Sequence, residues 1–452
     1  MNPETPRDPE KRESSELDAR RAKLSPEKRA LLEKRLRGLS DAAAEVASAG
    51  PAETRPEAVA AAPLPDLAPL LFAGEPGVSP VPDDVWRTLV EIGFSEAASL
   101  AQLPELLKDA TLEAWLDRQA AAIIGVVLAR LGLFQQTGEE HSADELIRNQ
   151  GILEKHRKVL RRWLETLADE GLLERRGGSY AALEPIPPPA LAAVVPEEHR
   201  AYYGENLPKI LDGSKHPLEF YLPDGASKSV EASYREQPIF RYCNGIAGAV
   251  FAAQAAALPE GRRLRVLEVG AGTGGTTASL LSHLPADRGI FLFTDVSKFF
   301  TDLGAKKFAD SPVLHSRELD LERDPEAQGF PAGGFDWIVA AHVLHATKSI
   351  HTTLAHVRRL LAPGGVLLLL EEIRFQRKYH FTMGFLPGFD SFEDHDLRPF
   401  HPLLPAATWK RELLAHGFAD FATFTEPGSA ADVLGVDVML ARADSSAPEA
   451  WR

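Results

Sequence analysis

Short apolar runs alternate with helical patterns in the C-terminal half of the chain. Four runs have the length and composition of buried strands: Leu264–Val269, 290–295, Phe335–Ala341 and 366–370. A helical pattern follows each run, and this alternation is typical of a parallel, doubly wound sheet. The hydrophobic pattern therefore predicts an α/β domain over residues 201–445.

Residues 70–200 have a different pattern, in which apolar residues recur at the three- and four-residue spacing of helices. Within this region, helical segments over 143–149 and 153–170 precede a glycine-rich turn at 177–178. This order of elements resembles a winged-helix module. We therefore expect a helical domain with a winged-helix-like part ahead of the α/β domain.

The second helical segment of this module is rich in basic residues. They are His156, Arg157, Lys158, Arg161 and Arg162. Two interpretations are open: a face that reads DNA, or a solvated surface. The whole chain has 65 acidic and 50 basic residues, and its net charge of −15 repels phosphate backbones and anionic membranes. We therefore expect neither a nucleic acid nor a membrane as partner.

The two ends of the chain differ from both domains. A short helix is predicted from Ser25 to Arg37, because a capping residue is followed by proline and glutamate. Residues 41–69 have the Ala, Pro and Glu composition of a flexible linker. Residues 1–69 are thus predicted to hold a docking or linker helix and a linker, and residues 446–452 a tail. The helix either stays solvated or docks on a larger assembly.

Cys243 is the single cysteine of the 452-residue chain, which excludes an internal disulfide and fits a reducing cytoplasm. Hydrophobic residues make up 44% and charged residues 25%, as in ordinary globular proteins. The longest apolar stretches are too short to span a bilayer. We therefore expect a cytoplasmic protein.

A glycine-rich turn follows the first predicted strand of the α/β domain. Its spacing is Glu-x-Gly-x-Gly-x-Gly, formed by Glu268, Gly270, Gly272 and Gly274. Glycines at this edge of an open sheet let the backbone approach a ligand closely. The spacing differs from that of dinucleotide enzymes, and an acid at 268 repels a pyrophosphate but suits an ammonium and a sulfonium. We therefore predict that the turn binds S-adenosylmethionine (SAM).

Two acidic residues at later strand ends complete the predicted SAM site. Asp295 ends the second predicted strand, where a carboxylate can accept hydrogen bonds from both ribose hydroxyls. Asp320, after the third strand, is predicted to bind the adenine amino group. Either residue alone is equally consistent with a cap at a strand end, but their order after the glycine turn favours SAM.

A histidine and a glutamate follow the fourth and fifth predicted strands. His345 comes shortly after residue 341, and Glu371 comes directly after the run at 366–370. Because the carboxyl ends of adjacent parallel strands face one crevice, the two side chains can meet there. A glutamate bound to one imidazole nitrogen orients the ring and raises its basicity. We predict that His345 is a general base oriented by Glu371; the alternative is a histidine bonded to the backbone at a helix start.

Six motifs occur in a consistent order between residues 207 and 441. They are RVLEVGAGTGGTT, FTDVS, LDLERDPEAQGF, VLHAT, LLAPGGVLLLLEE and FEDHDLRPFHPLL. Because it has these six motifs in this order, the chain resembles the methyltransferase domains of modular polyketide synthases. The resemblance implies a Rossmann-like class I methyltransferase fold, SAM as methyl donor, a catalytic dyad at His345 and Glu371, and a helical lid. It also implies a substrate held by phosphopantetheine on an acyl carrier protein, and contact with synthase subunits through the N-terminal helix.

Two positions depart from the family pattern. His342 stands where the family usually has a small or amide residue, and we expect it to pack against the cofactor. A metal held by His342 and His345 is the alternative, but no third ligand is evident, so no metal is predicted. The chain also has Gly388-Phe389-Asp390 where carbon-methylating relatives tend to have a Gly-Trp-Trp aromatic wall.

The altered aromatic wall favours O-methylation of a β-hydroxyl or β-enol. The alternative is C-methylation of the α-carbon of a β-ketoacyl thioester. Both reactions need a base that removes a proton from the acceptor, and His345 is predicted to serve in either. A minor alternative is a non-catalytic SAM-binding protein or winged-helix regulator, against which the intact dyad and the acidic charge argue.

Overall fold

The computed structural model describes Leu67, Leu71 and residues 81–186, 205–215, 217, 237–386 and 388–445. All of these residues belong to one unit of the chain, Glu57–Arg452. The predicted helix over 25–37, most of the predicted linker over 41–69 and the predicted tail over 446–452 lie outside the described residues.

The N-terminal part described by the structure consists of helices and a small antiparallel sheet. The helices are α1 (Asp83–Leu100), α2 (Pro104–Arg130), α3 (Ala143–Gln150) and α4 (Arg157–Asp169). The strands β1 (Glu140–His141), β2 (Leu173–Arg176) and β3 (Ser179–Ala182) pair in the order β1-β3-β2. Ser142 and Glu145 form a reciprocal capping pair that starts α3, and left-handed Gly151 ends it. The predicted order of two helices and a hairpin is confirmed.

A seven-stranded sheet lies at the centre of the C-terminal part. Its strands are β4 (Leu264–Val269), β5 (Gly289–Asp295), β6 (Leu314–Glu318), β7 (Phe335–Ala341), β8 (Leu361–Glu372), β9 (Phe418–Thr423) and β10 (Val436–Ala443). They lie in the order β6-β5-β4-β7-β8-β10-β9. All neighbouring strands pair parallel except β10, which pairs antiparallel with both β8 and β9. The predicted doubly wound, mostly parallel sheet is therefore confirmed.

Helices cover both faces of this sheet. They are α6 (Pro238–Ala256), α7 (Gly275–Leu281), α8 (Lys298–Lys307), α9 (Ile350–Leu360), α10 (Ala406–Ala415) and α11 (Ala430–Leu434). The short helix α5 (Leu207–Leu211) packs instead in the apolar cluster of α2, α3 and α4. Neighbouring residues of one strand enter opposite apolar clusters: Val266 lies in the cluster that includes α6, and Leu267 in the cluster that includes α9. Strands covered on both faces need continuous apolar runs, which explains why these strands are evident in the sequence.

Packing crosses the predicted boundary between residues 200 and 201. Trp86 and Leu89 of α1 share an apolar cluster with Trp337 of β7. Conversely, Phe381 and Phe385, which follow β8, belong to the cluster formed by α2, α3 and α4. The helical part and the sheet part are therefore joined through two shared cores. Among the described residues, no helix combines the length and the apolar character needed to cross a membrane.

Candidate active site

The glycine turn between β4 and α7 has the backbone conformation that the sequence predicts. Gly270, Gly272 and Gly274 have φ angles of +60°, +53° and +73°, in the left-handed region that favours glycine. A Cβ atom at Gly270 would lie 2.3 Å from a methyl group of Val343. At Gly272 the nearest protein atom would be 4.0 Å away, which is open space. The turn can therefore receive a ligand directly against the backbone at Gly272.

Glu268 is buried at the end of β4 and accepts a hydrogen bond from the hydroxyl of Thr277 in α7. Burial raises the pKa of Glu268 to about 8, so the group is mostly neutral at pH 7. A mostly neutral carboxyl group does not repel a pyrophosphate strongly, so the charge of Glu268 does not distinguish SAM from a dinucleotide. The contact of Glu268 with the cofactor stays a prediction, since its observed partner is the helix behind the turn.

Asp295 at the end of β5 braces the glycine turn. Its two carboxylate oxygens accept hydrogen bonds from the backbone N–H groups of Gly272 at 3.0 Å and Ser297 at 2.8 Å. The strand-end cap considered from the sequence is thus present. Each oxygen retains a second lone pair for a ligand hydroxyl, and the residue lies beside the open side of Gly272. Burial raises the pKa of Asp295, and the backbone donors oppose that shift.

Asp320 is half-buried, two residues after the end of β6. Its carboxylate accepts the N–H group of Glu322 at 2.9 Å, and its own N–H group donates to the side chain of Gln328 at 2.9 Å. These contacts fit a cap at the strand end. The predicted contact with adenine stays a prediction.

The structure brings His345 and Glu371 into contact. His345 lies in a 3-10 turn, Leu344–Ala346, and its Nδ1 atom hydrogen-bonds the Oε2 atom of Glu371 on β8. The other carboxylate oxygen accepts the N–H group of Leu344 at 2.8 Å, and the side chain of Glu371 is fully buried. The ring of His345 is therefore held by a carboxylate, and the alternative of a ring bonded to the backbone is wrong.

His342 and Glu372 form a second pair beside the first. His342 has a left-handed φ of +56°, and its Nδ1 atom lies 3.0 Å from Oε2 of Glu372, at ion-pair distance without a hydrogen bond. Its Nε2 atom is buried and has no hydrogen-bond partner among the described residues. The next residue, Val343, packs against Gly270, so this nitrogen lies close to the glycine turn. A buried nitrogen without a partner at this place fits the predicted contact with a cofactor. The edge of the Phe240 ring lies against His342, at 5.2 Å between ring centroids.

Glu372 is a site residue that sequence reasoning missed. Its Oε2 atom also lies 3.5 Å from Nδ1 of His345, so two carboxylates face one imidazole. Both glutamates still pair with β10 at the end of β8, and both carboxylates reach the loop that carries His342 and His345. The only signal in the sequence was the doubled glutamate of the motif.

The charges of this group favour protonated histidines. Burial of the His345 ring opposes its protonation, but Glu371 and Glu372 outweigh this effect and raise the pKa of His345 to about 9. Burial likewise opposes protonation of His342, while Glu372 raises the pKa of His342 above its ordinary value. Burial disfavours the charge of Glu372, but the two imidazoles hold the pKa of Glu372 well below its usual range.

His345, Glu371 and Glu372 also have ligand atoms within 4.8 Å of one another, a spacing compatible with a metal ion. His342, the partner considered from the sequence, is not in that group. One oxygen of Glu371 is already used by backbone N–H groups and the other by His345. These hydrogen bonds account for the arrangement without an ion, and the absence of a metal stays a prediction.

A buried arginine that the sequence did not single out holds the loop that carries His345. Arg398 is fully buried and donates to the carbonyl oxygens of His345 at 2.8 Å, Thr347 at 2.7 Å and Lys348 at 3.0 Å. Its Nε atom donates to Asp394 at 2.5 Å, and the same carboxylate accepts the N–H group of Ile350 at 2.8 Å. Arg398 therefore holds the carbonyl oxygens of the loop, and Asp394 holds the first N–H group of α9.

The segment that replaces the aromatic wall is bound to α4. Arg162 forms a two-point ion pair with Asp390 at 2.8 and 3.0 Å, and Lys158 donates to the Asp390 carbonyl at 2.7 Å. The Phe389 ring lies against Phe375, with centroids 6.5 Å apart. Two of the basic residues considered for DNA reading therefore make contacts inside the protein, which weakens the regulator alternative.

Comparison with known proteins agrees with these features. A family model described as "Methyltransferase domain" matches residues 267–367. Polyketide synthase ThaG of Burkholderia thailandensis is 40% identical over 244 residues, covering 53% of this chain and 4% of that protein. Lovastatin diketide synthase lovF of Aspergillus terreus is 38% identical over 213 residues, covering 42% of this chain and 9% of that protein. The chain thus spans a small part of the length of these relatives.

Solved structures match over a larger share. The structure of the CurJ carbon methyltransferase is 31% identical with a TM-score of 0.70, covering 79% of this chain and 99% of that one. The structure of the DszA carbon methyltransferase is 27% identical with a TM-score of 0.70, covering 82% and 99%. Given this coverage, the chain belongs to the family of SAM-dependent methyltransferase domains of polyketide synthases, and it is a SAM-dependent methyltransferase.

Proposed function

We propose that this domain methylates the α-carbon of a β-ketoacyl chain held by phosphopantetheine on an acyl carrier protein. The observation that carries the proposal is the buried His345–Glu371 dyad beside the glycine turn. The CurJ and DszA structures that match this chain are carbon methyltransferases, which favours carbon as acceptor. The family further suggests that neighbouring synthase domains, bound through the N-terminal helix, supply the carrier.

SAM, when bound, supplies a methyl group made electrophilic by the adjacent sulfonium. We assign its binding to Gly270, Gly272 and Gly274, with Asp295 at the ribose and Asp320 at the adenine. These roles rest on the open space at Gly272 and on the free lone pairs of the neighbouring carboxylate. Val343, the neighbour of His342 in the chain, packs on Gly270, so His342 lies close to this turn. The buried Nε2 atom of His342, which has no partner in the described structure, can add a further contact with the cofactor.

The chain's own residues perform the proton transfer. Because Nδ1 of His345 is held by Glu371, Nε2 is left to accept a proton. For a carbon acceptor, that proton leaves the carbon between the ketone and the thioester carbonyl. The resulting enolate carbon would then form a bond to the methyl group as the C–S bond breaks, and S-adenosylhomocysteine would be the leaving group. Glu371 stabilises the imidazolium that forms, since its negative charge lies against the ring. Positioning of acceptor and methyl in line supplies the remainder of the catalysis.

O-methylation of a β-hydroxyl or β-enol is the second candidate, and one observation favours it. Phe389 and Asp390 stand where carbon-methylating relatives tend to have a Gly-Trp-Trp wall. In this chain the segment packs on Phe375 and pairs with Arg162 of α4. The same dyad would then remove the hydroxyl proton.

Carrier-bound substrates separate these two reactions. We expect a β-ketoacyl carrier to gain the mass of one methyl group with SAM, and a β-hydroxyacyl carrier to gain none, by intact-mass spectrometry. A β-ketoacyl carrier with two methyl groups on the α-carbon is the matched control, because it has no proton to lose there. A methyl group on the β-ketoacyl carrier that survives mild acid hydrolysis is on carbon, because hydrolysis of a β-enol ether of the same mass would release it. Methylation of the β-hydroxyacyl carrier alone, or a methyl group lost on hydrolysis, would establish the oxygen reaction, and methylation of neither carrier would contradict the proposed substrate class.

The glycine turn can be tested without disturbing the core. Gly272→Ala should reduce the affinity for S-adenosylhomocysteine at least tenfold, since the new Cβ would occupy the ligand's approach while its nearest protein atom, the Gly270 carbonyl oxygen, lies 4.0 Å away. Gly261→Ala is the control, because its φ of +75° imposes the same strain and its Cβ also meets nothing. Titration calorimetry measures both variants. Equal affinities would show that the ligand does not pass over Gly272.

The rate of methyl transfer should increase with pH. His345 accepts a proton only when neutral, and its raised pKa of about 9 keeps it protonated in the neutral range. At saturating SAM, we expect the rate to rise with pH and to level off once His345 is neutral. The midpoint of this rise should lie above 6.5, the ordinary pKa of histidine. Glu371→Gln removes the negative charge that raises this pKa, so the midpoint should move to lower pH. An unchanged midpoint in that variant would argue against His345 as the titrating base.

A further inference from the structure

Three potential metal ligands meet at the contact between α9 and α10, apart from the dyad. His351 lies in the first turn of α9, Glu412 lies in the last turn of α10, and His416 caps that helix. Their ligand atoms all lie within 4.8 Å of one another. Two imidazoles and one carboxylate are the ligands that zinc commonly takes in proteins, with water in the fourth position.

The distance between His351 and Glu412 fits two ligands of one ion better than a hydrogen bond. Nδ1 of His351 lies 3.4 Å from Oε2 of Glu412. A charge-assisted hydrogen bond would place them about 2.7–2.9 Å apart. Two ligand atoms at about 2.0–2.1 Å from a tetrahedral zinc ion are about 3.3 Å apart. The rings of His351 and His416 are stacked, with centroids 5.5 Å apart and planes inclined at 23°.

Outer contacts already orient two of the three ligands. Nδ1 of His416 bonds the backbone carbonyl of Glu412 at 2.6 Å, which leaves Nε2 with a free lone pair. Arg411 donates to the other oxygen of Glu412, at 2.8 and 2.9 Å, and leaves Oε2 for an ion. Bound histidines in metal sites almost always have their second nitrogen fixed in this way.

The site is rigid on one side and open on the other. Leu354 of α9 and Leu413 of α10 are buried in one apolar cluster, so the two helices are held in fixed positions. The side chain of Glu412 is 8% exposed, whereas that of His351 is 45% exposed. An ion and a completing water can therefore reach the cluster from solvent.

We propose that His351, Glu412 and His416 bind a divalent transition metal of the zinc type. The site joins α9, which follows the catalytic loop, to α10. It holds the two helices together and takes no part in methyl transfer, since none of its residues contacts the dyad in the described structure. This inference does not depend on the acceptor of the methyl group.

The test uses the full chain without an added histidine tag. We expect Zn²⁺ to bind with one ion per chain in this site, and Co²⁺ to give the visible absorption of a tetrahedral site. His351→Gln and His416→Gln should each weaken Zn²⁺ binding at least tenfold, the smallest loss usual for an altered metal site. Both should lower the melting temperature only when Zn²⁺ is present, and both should retain methyl transfer activity.

Two control variants separate this site from other histidines. His315→Gln alters an exposed histidine on β6 and should leave Zn²⁺ binding unchanged. His345→Ala reports on the dyad, where His345, Glu371 and Glu372 have similar spacing. The proposal is overturned if His351→Gln and His416→Gln bind Zn²⁺ as the wild type does, whether or not His345→Ala abolishes binding. Melting curves without metal verify that each variant is folded.

Discussion

Replacing His345 with alanine should lower the rate of methyl transfer by about 10²–10⁴, the usual contribution of a positioned proton transfer. The imidazole is held through Nδ1 by the buried carboxylate of Glu371, which leaves Nε2 to accept the proton. Single-turnover assays on a carrier-bound substrate measure the loss. S-adenosylhomocysteine affinity should stay near the wild-type value, because His345 is not assigned to cofactor binding.

Variants of the partner residue distinguish a dyad from two independent groups. Glu371→Gln keeps the shape and a hydrogen bond but loses the charge, so its rate loss should be smaller than that of His345→Ala. The double variant should be little worse than His345→Ala, since residues that act as one unit are not additive. EDTA should leave the wild type active; strong inhibition would indicate a metal at His345, Glu371 and Glu372. Full activity of His345→Ala would rule out the proposed mechanism.

Arg398→Met should lower the free energy of unfolding by about 3–5 kcal/mol, because it leaves the buried Asp394 without its partner. Urea unfolding measures this change. Methyl transfer by the remaining folded protein should also decrease, since Arg398 holds the carbonyl oxygen of His345 itself and that of Thr347, directly after the catalytic turn. The double variant Asp394→Leu/Arg398→Met should be less destabilised than Arg398→Met, because no charge is left buried.

A matched control exists on α8. Lys298 and Asp302 form an ion pair at the same four-residue spacing as Asp394 and Arg398, but their side chains are 68% and 67% exposed. Lys298→Met should therefore have little effect on stability, because water already solvates both charges. Equal stability of Arg398→Met and Lys298→Met would show that the loop does not depend on the buried arginine.

The sheet was predictable because its strands are buried on both faces. β4 and β7 have the bounds expected from their apolar runs, and β5 begins one residue earlier than predicted. β8 is longer than its apolar run of 366–370, since it begins at Leu361 before two glycines and ends with Glu371 and Glu372. The meeting of His345 with Glu371 followed from the general rule that parallel strands end at one edge.

Contacts that span the sequence without a local pattern were not predictable. Arg398 and His345 are 53 residues apart. The motif FEDHDLRPFHPLL marks the segment around Arg398, but nothing in it shows that the arginine is buried or which loop it holds. The basic residues of α4 looked like a surface, although Arg162 pairs with Asp390, 228 residues later. Periodicity identifies which face of an element is apolar, but it does not identify the partner of a charged side chain.

The two cores that cross residue 200 limit how this enzyme can be exchanged between synthases. A fragment that begins at residue 201 would lose Trp86 and Leu89 from the core beneath its sheet. It would also expose Phe381 and Phe385, which are buried against the helices left behind. A transplant that preserves folding therefore has to carry the chain from at least Val81 to Ala443, and recombination at the apparent domain border should yield insoluble protein.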